Sequence, residues 1–418
     1  MRVLHLASAD IIGGASRASY RIHQGLRLHG IQSNMWVGEK ASDDPDVMGP
    51  QSSGSKFRFK LIKHLDNLPL KLLRTDDPAK ISPAWLTSAP MMDIINSDAH
   101  IVHLHWVCNG FLSVEDLAKI NKPIVWTLHD LWPFTGGEHY VGGSSRFREG
   151  YLPENRPDSE KGFDLHRWIW GRKKQAWSQL NSLFVIGNSH WTAELAHQSE
   201  LFKQRPIEVI HYGLDETVFK PTEKSAARAA LKISEGKKVI LFGALDAVTD
   251  QRKGFAHLQN ALRSLSQQGW KEKAEIVVFG ASQEHNSLDL GFRCYYLGTL
   301  NDNSALSLAY SAADVMVVPS IEEAFGQTAL EALACGTPVV SFGIGGLLDI
   351  IEHQKNGYLA RPFEVEDLAN GIAWILQDSN QQVQMGIHAR KKVEAQFTLR
   401  HQAAKYIHLY ERILGGGK

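Results

Sequence analysis

The stretch DVMVVPSIEEAFGQTALEALACGTPVVSF, residues 314–342, contains two short apolar runs with a helical pattern between them. The runs DVMVVPS and TPVVSF are rich in valine, which is typical of buried parallel strands. Between them, a loop from Ile321 to Gly326 leads into a helix that we expect to begin near Gln327. Its end is expected at Gly336, because Pro338 follows. The stretch therefore predicts a strand–helix–strand unit of a parallel sheet.

The same alternation extends over most of the 418 residues. It predicts an α/β protein, and the length favours two domains over a single hydrophobic core. We expect two doubly wound, Rossmann-like domains at residues 1–216 and 217–394, and a C-terminal helix at 395–418 that packs back on the first domain. The predicted strands lie near 2–8, 32–37, 100–105, 123–128, 183–187, 237–244, 274–280, 293–298, 314–320 and 337–342.

Composition excludes several classes of protein. The 45 Lys and Arg residues balance the 45 Asp and Glu residues, so nothing indicates a nucleic-acid partner. The three cysteines are far apart, which argues against a disulfide framework or a cysteine metal site. The N-terminal apolar run is too short for a signal peptide, and no run is long enough to span a membrane. We therefore expect a cytoplasmic protein.

Residues 55–74, SKFRFKLIKHLDNLPLKLLR, form a basic amphipathic segment with six Lys or Arg residues and one Asp. Such a segment can lie on anionic lipid, which would place the protein peripherally at the inner face of the membrane. The alternative, which we favour, is a surface helix whose apolar face packs on its own domain.

Two groups of candidate residues follow strands of the first domain, where ligands of open α/β sheets bind. Gly13 and Gly14 form a turn before a helix, whose N–H groups can receive phosphate or sugar oxygens. His129 can accept a proton or hold a hydroxyl, with Asp130 orienting its ring. The alternatives are an ordinary glycine turn and a structural histidine.

Two further groups follow strands of the second domain. Arg252 and Lys253 are placed to bind a diphosphate, or else are solvated loop charges. Glu323 lies in a loop and Glu331 one turn inside a helix, and both can accept hydrogen bonds from the vicinal hydroxyls of a sugar or a ribose. Alternatively, Glu331 is an ordinary exposed helix residue and Glu322 or Glu323 contributes to a helix cap.

Motifs along nearly the whole chain carry a family resemblance. They are the Gly-Gly turn, LHD (128–130), HYGLDETVFKP (211–221), RKGF (252–255), the E-x7-E stretch EEAFGQTALEALACGTPVV (322–340), GIGGLLDII and NGYLARPFEVEDLANGI. Together they resemble the retaining nucleotide-sugar glycosyltransferases of the GT-B fold, a family with sucrose synthase-like and mannosyltransferase-like members. The resemblance implies two Rossmann-like domains that face a central cleft. HDLWPFTGG is similar to bacterial members that build surface polysaccharides.

The resemblance implies contacts with the donor sugar. Glu323 and the backbone of Phe325, Gly326 and Gln327 would hold this sugar, and His129 would touch it near the reacting carbon.

The resemblance also implies contacts with the nucleotide. Glu331 would bind the ribose, Arg252 and Lys253 would neutralise the diphosphate, and the turn of Gly13 and Gly14 would lie against the phosphate or the acceptor.

The implied reaction is transfer of a sugar, with retention, from a nucleoside-diphosphate sugar to a glycan or lipid-linked saccharide in bacterial surface polysaccharide synthesis. No metal or other cofactor is implied, and we interpret the D-x-D of Asp44 and Asp46 as solvated charge. The alternatives are a sugar-nucleotide epimerase on the same architecture and a catalytically silent subunit that binds a nucleotide-sugar or glycan.

Two departures from the family pattern matter. Relatives often place an arginine directly after the glycine of the first strand of the second domain, where this chain has Ala244 and Leu245. Many also carry cysteines in the loop after PFTGG, where this chain has Glu138, Ser144 and Ser145. We therefore expect no metal or thiol chemistry in that loop.

Overall fold

The chain divides into two compact units in the computed structural model. Unit 1 comprises Met1–His211 and Arg400–Lys418, and unit 2 comprises Tyr212–Leu399. Ala244 and Leu245 lie outside the described residues. The structure describes residues 1–74, 80–243, 250–280, 290–300 and 302–415.

In the described part of unit 1, seven parallel strands form one sheet. The strands of the unit are β1 (Arg2–Ala9), β2 (Gln32–Glu39), β3 (Val47–Met48), β4 (Leu73–Arg74), β5 (Ile101–Leu104), β6 (Ile124–Leu128), β7 (Lys161–Gly162), β8 (Leu183–Gly187) and β9 (Ile207–Val209). Their order in the sheet is β3-β2-β1-β5-β6-β8-β9, and β4 pairs separately with β7 in antiparallel fashion. The strand order reverses between β1 and β5, which makes this the switch point where ligands of such sheets bind.

Unit 2 contains a second parallel sheet, with six strands among the described residues. They are β10 (Lys238–Gly243), β11 (Ala274–Phe279), β12 (Cys294–Tyr296), β13 (Val315–Val318), β14 (Val339–Phe342) and β15 (Gly357–Ala360). The order β12-β11-β10-β13-β14-β15 is the 3-2-1-4-5-6 order of the Rossmann fold. Its switch point lies between β10 and β13.

Helices lie between most of the consecutive described strands of both sheets, as crossover connections between parallel strands favour. They are α1 (Gly14–Leu28), α2 (Ser53–Asp66), α3 (Met91–Asn96), α4 (Val114–Leu117), α5 (Arg146–Glu149), α6 (Leu165–Trp177), α7 (His190–Gln198), α8 (Lys224–Leu231), α9 (Phe255–Leu265), α10 (Asn303–Ala312), α11 (Gln327–Ala334), α12 (Leu347–Ile350), α13 (Val365–Gln377), α14 (Ser379–Gln396) and α15 (Leu399–Leu414). Throughout the described ranges, none of them is both long and apolar enough to cross a membrane.

Helix α15 packs on the sheet of unit 1. Because side chains alternate along a strand, β1 directs Val3 to one face and Leu4 to the other. Val3 lies in a buried cluster with Ile22 of α1 and with Tyr406 and Tyr410 of α15. The C-terminal helix α15 thus covers one face of the unit 1 sheet.

The predicted α/β class with two Rossmann-like sheets is confirmed, and a strand lies in each predicted position. The sequence analysis missed β3, β9, β15 and the β4–β7 pair. Each of these strands has only two to four residues, and none carries the valine-rich run that marks β13 and β14.

Two expectations about charged segments were wrong in part. Asp44 is not a solvated charge, since its side chain is 8% exposed and accepts hydrogen bonds from Tyr20 Oη and Arg27 Nη1. In the amphipathic segment, Phe59 is buried as the favoured alternative requires, but Phe57 and Leu72 are 68% and 56% exposed. The apolar face therefore packs only in part on its own domain.

Asp314 directly precedes β13 and bonds to residues of α8 and β10. Its carboxylate contacts Arg228 Nη2 at 2.6 Å and Lys224 Nζ at 2.7 Å, and it accepts from the Val239 N–H at 2.6 Å. Burial raises the pKa of Asp314, but the Lys224 cation, Gln382 and Arg228 outweigh burial and hold the pKa below its usual range.

We predict that Asp314→Asn lowers the free energy of unfolding by about 3 kcal/mol near neutral pH, because it leaves a buried arginine without its counter-charge. A depressed pKa in the folded state stabilises the protein above the unfolded pKa of about 3.9. That contribution is lost as pH falls through the folded value, so the difference between wild type and variant should shrink in acid. Urea titrations at neutral and acidic pH measure it, with the exposed Glu235→Gln as control. An equal difference at both pH values would contradict this assignment.

Candidate active site

The loops that follow β10 and β13 meet at the switch point of unit 2. Lys253 Nζ lies 2.8 Å from Glu323 Oε2, and Ser320 Oγ donates to the same oxygen at 3.3 Å. The Lys253 and Glu323 side chains are 22% and 12% exposed. One cation and one carboxylate predicted separately from sequence are therefore brought into direct contact.

Arg252 belongs to the same junction. Its guanidinium pairs with Asp250 at 2.5 Å, and its carbonyl oxygen accepts from the Ile321 N–H at 2.9 Å. The second contact joins the two loops through their backbones. Asp250 thus holds Arg252 in place. This ion pair was not predicted from the sequence.

Gly254 allows the two loops to approach this closely. It has a φ of +69°, and a Cβ at this position would lie 1.8 Å from the carbonyl oxygen of Pro319. Glycine alone permits this contact, because it has no Cβ and adopts a positive φ without a conformational penalty. The glycine after Arg-Lys is therefore a requirement of the junction.

The loop after β13 leads into α11 through three predicted residues. The Phe325 side chain is buried against Tyr212, with ring centroids 4.8 Å apart. Gly326 has a φ of +101° and directs the chain into α11, which begins at Gln327. The first turn of this helix lies at the carboxyl end of β13, where the helix dipole favours an anion.

Glu331 lies inside α11 and is 5% exposed. Its Oε2 accepts a hydrogen bond from Tyr310 Oη at 2.9 Å. The alternative of an ordinary exposed helix residue is therefore wrong. A buried carboxylate oriented by a tyrosine is suited to recognising a hydroxyl pair.

A small pocket lies at this switch point. Its lining includes Gly243, Lys253, Ser320, Glu323 and Thr328, while Arg252 and Glu331 do not line it. Four of these five residues carry polar side chains and the fifth is glycine, so the described part of the pocket offers hydrogen-bonding groups and room for a close approach.

The candidates of unit 1 form a separate group. His129 follows β6, is 9% exposed, and lies with its Nε2 3.0 Å from His105 Nδ1. Burial lowers the pKa of His129 to about 4, so this ring is neutral at physiological pH.

The sequence suggested that Asp130 orients the His129 ring, and this prediction was wrong. Its carboxylate lies 2.6 Å from His139 Nδ1 and accepts from Trp106 Nε1 and from the Trp132 N–H. The contact between His105 and His129 had one signal in the sequence, which is that His105 follows the neighbouring strand. The sequence does not show which ring nitrogens face each other.

The Gly-Gly turn lies between β1 and α1. Gly13 has a φ of +87° and stands directly before the helix, which begins at Gly14. The buried Asp10 accepts from the N–H groups of Ile11, Ala41 and Ser42. The turn is thus anchored at the carboxyl end of β1, beside the switch point of the unit 1 sheet.

The loop after PFTGG has a polar anchor at Glu138. Glu138 is buried, accepts from Tyr151 Oη at 2.9 Å, and lies 3.2 Å from His166 Nδ1. The carboxylate here thus joins the loop to α6.

Comparisons with known proteins agree with this architecture. The family model Glycosyltransferase Family 4 matches residues 12–218, and the model Glycosyl transferases group 1 matches residues 223–392. An uncharacterised glycosyltransferase of Methanocaldococcus jannaschii is 31% identical over 49% of this chain and 54% of that protein. The chain therefore spans about half the length of this relative.

Two solved structures show the fold. The sucrose-phosphate synthase of Thermosynechococcus elongatus superposes with a TM-score of 0.68 at 19% identity, covering 100% of both chains. HepE of Anabaena, solved in complex with UDP and glucose, has a TM-score of 0.62 at 18% identity over 98% of this chain and 99% of that chain. The fold is GT-B.

We predict that Gly254→Ala disrupts the junction of the two loops. The new Cβ would collide with Pro319, and an alanine at this φ costs about 1–2 kcal/mol in addition. Thermal unfolding should show a clear loss of stability, whereas Gly236→Ala should not, since a Cβ there meets nothing within 4 Å. Equal melting temperatures for Gly254→Ala and wild type would contradict the described loop conformation.

Proposed function

We propose that this chain, a glycosyltransferase of the GT-B fold, transfers a sugar from a nucleoside-diphosphate sugar to a hydroxyl of a glycan or lipid-linked saccharide. The observation that carries the proposal is the Lys253–Glu323 pair at the switch point of a Rossmann sheet. A cation there suits a diphosphate, and a carboxylate suits sugar hydroxyls. HepE, which shares the fold, binds UDP and glucose.

In this proposal the nucleotide lies over the carboxyl ends of β10 and β13. Lys253 and Arg252 neutralise the diphosphate, and Glu331 accepts hydrogen bonds from the ribose. The first-turn N–H groups of α11 add positive potential at the leaving phosphate.

The donor sugar is proposed to contact Glu323 and the backbone at Phe325, Gly326 and Gln327. His129 would contact this sugar near the reacting carbon, and Gly14 would lie against the phosphate or the acceptor. In these roles Glu323 and Glu331 recognise the ligand and do not act as a catalytic acid and base.

We further propose that the anomeric configuration is retained. The acceptor oxygen bonds to the anomeric carbon as the bond to the diphosphate breaks, and the leaving phosphate takes the acceptor proton on the same face. The protein then contributes positioning and electrostatic stabilisation, without a metal ion. The motif HDLWPFTGG leads us to propose a role in bacterial surface polysaccharide synthesis.

The test is incubation of the pure protein with a panel of nucleoside-diphosphate sugars in the presence of EDTA. We expect one donor to raise the melting temperature and to be transferred or slowly hydrolysed. Isomerisation of the donor without release of the nucleoside diphosphate would favour the epimerase alternative. Binding without any turnover, with a full acceptor panel present, would favour the silent binding subunit.

In the same assay, Lys253→Ala and Glu331→Ala should each weaken binding of the nucleoside diphosphate by about tenfold or more, because each removes a hydrogen bond that involves a charged group. Lys391→Ala is the matched control, since Lys391 is an exposed lysine of α14 in the same unit. Calorimetric titration measures the affinities. Unchanged affinity in both site variants would mean that the nucleotide binds elsewhere.

We also propose that residues 55–72 of the amphipathic segment rest on anionic lipid. Lys56, Arg58 and Lys60 are exposed beside the exposed Phe57 and Leu61. The single acidic residue, Asp66, faces inward and accepts from the N–H groups of Trp85, Leu86 and Gly110. The exposed side of the segment is thus cationic and apolar, which matches the chemistry of an anionic membrane surface.

We predict that the double variant Phe57→Ser/Leu61→Ser loses at least about tenfold in partitioning to vesicles that contain phosphatidylglycerol, because two apolar side chains no longer enter the interface. Leu28→Ser on α1 removes a leucine that is 76% exposed and should have no effect. Sedimentation with vesicles measures the bound fraction. Equal binding by both variants, or equal binding to neutral vesicles, would contradict the proposal.

A further inference from the structure

Buried imidazoles lie in a row across three neighbouring strands of unit 1. His5 belongs to β1, His103 to β5, His105 directly follows β5, and His129 directly follows β6. His5 and His103 are 0% exposed and His105 is 2% exposed. Of these four histidines, only His129 was predicted from the sequence to have a role.

All of these rings are neutral at physiological pH. Burial lowers the pKa of His5, His103 and His105 well below the usual value, and repulsion from neighbouring imidazoles, including His129, lowers it further. Each neutral ring carries one N–H donor and one bare nitrogen that accepts.

Three of the rings form a continuous chain of hydrogen bonds. His5 Nδ1 lies 2.8 Å from His105 Nε2, and His105 Nδ1 lies 3.0 Å from His129 Nε2. At the far end of this chain, His5 Nε2 is buried and has no hydrogen-bond partner among the described residues.

This unpartnered end gives the chain a direction. A buried N–H without an acceptor costs about 1–3 kcal/mol, and orphaned N–H groups are rarer in proteins than orphaned acceptors. The proton of His5 is therefore on Nδ1, from which it donates to His105 Nε2. His105 must then carry its own proton on Nδ1 and donate it to His129 Nε2.

We propose that His5 and His105 are positioning residues that hold the proton of His129 on Nδ1 and occupy its Nε2 as an acceptor. His129 then carries its N–H at Nδ1 and has no bare nitrogen with which to act as a general base. The consequence for the donor complex rests on the proposed function, whereas the protonation pattern does not.

A metal ion bound by His5, His103 and His105 is the competing explanation, because one nitrogen of each lies within 4.8 Å of the others. The hydrogen bonds argue against it. His103 Nδ1 and Nε2 already lie 2.7 Å from Tyr410 Oη and Thr127 Oγ1. A metal would have to displace one of these partners and the bond between His5 and His105.

The experiment is imidazole nitrogen NMR on full-length protein labelled with 15N-histidine near neutral pH. The His129 signals are assigned by their loss in His129→Asn. The wild-type ring should show a protonated Nδ1 and an unprotonated Nε2. Protonation at Nε2, or a stoichiometric transition metal in the purified protein, would overturn the proposal. This measurement needs no activity, so a failure of the glycosyltransferase assay and a failure of this inference are distinguishable.

Two variants test the effect on turnover. In His105→Leu the donor to His129 is lost, so we expect a change of the His129 protonation pattern and a fall in kcat of about tenfold, the value of one hydrogen bond. In His105→Asn the carboxamide N–H takes the place of imidazole Nδ1, so the wild-type pattern and most of kcat should return. A merely structural role would lower the stability of both variants and leave the pattern unchanged, and that result would overturn the proposal.

Discussion

The contact between Lys253 and Glu323 is the interaction on which the account of unit 2 depends. It joins the loop after β10 to the loop after β13 at the point where the strand order of the sheet reverses. Gly254 makes the contact possible because no other residue fits against Pro319. The loop geometry, the pocket and the first turn of α11 all follow from this junction.

Unit 1 presents a different kind of site. Its polar groups are buried within the sheet and hydrogen-bonded to one another, and burial keeps the imidazoles neutral. Tyr410 of α15 holds His103 within the same buried face. A neutral histidine whose second nitrogen is occupied is suited to recognition rather than proton transfer. In the proposed function, both units use their conspicuous ionisable residues to hold a ligand.

The alternation of valine-rich runs with helical patterns was sufficient to predict both sheets, because parallel strands are buried on both faces and leave a strong apolar signal. It also placed His129 directly after β6, and Lys253 and Glu323 in the segments between β10 and α9 and between β13 and α11. Side-chain partners were not predictable. Asp130 turned out to pair with His139, and Asp44 proved to be anchored by Arg27, because such contacts depend on residues brought together only by the fold.

The most direct test of the central claim is a crystal structure of the protein with a bound nucleoside diphosphate. We expect the diphosphate to lie against Lys253 and Arg252 at the carboxyl ends of β10 and β13, and the ribose hydroxyls to contact Glu331. Nucleotide bound with its diphosphate away from Lys253, at a saturating concentration, would contradict it.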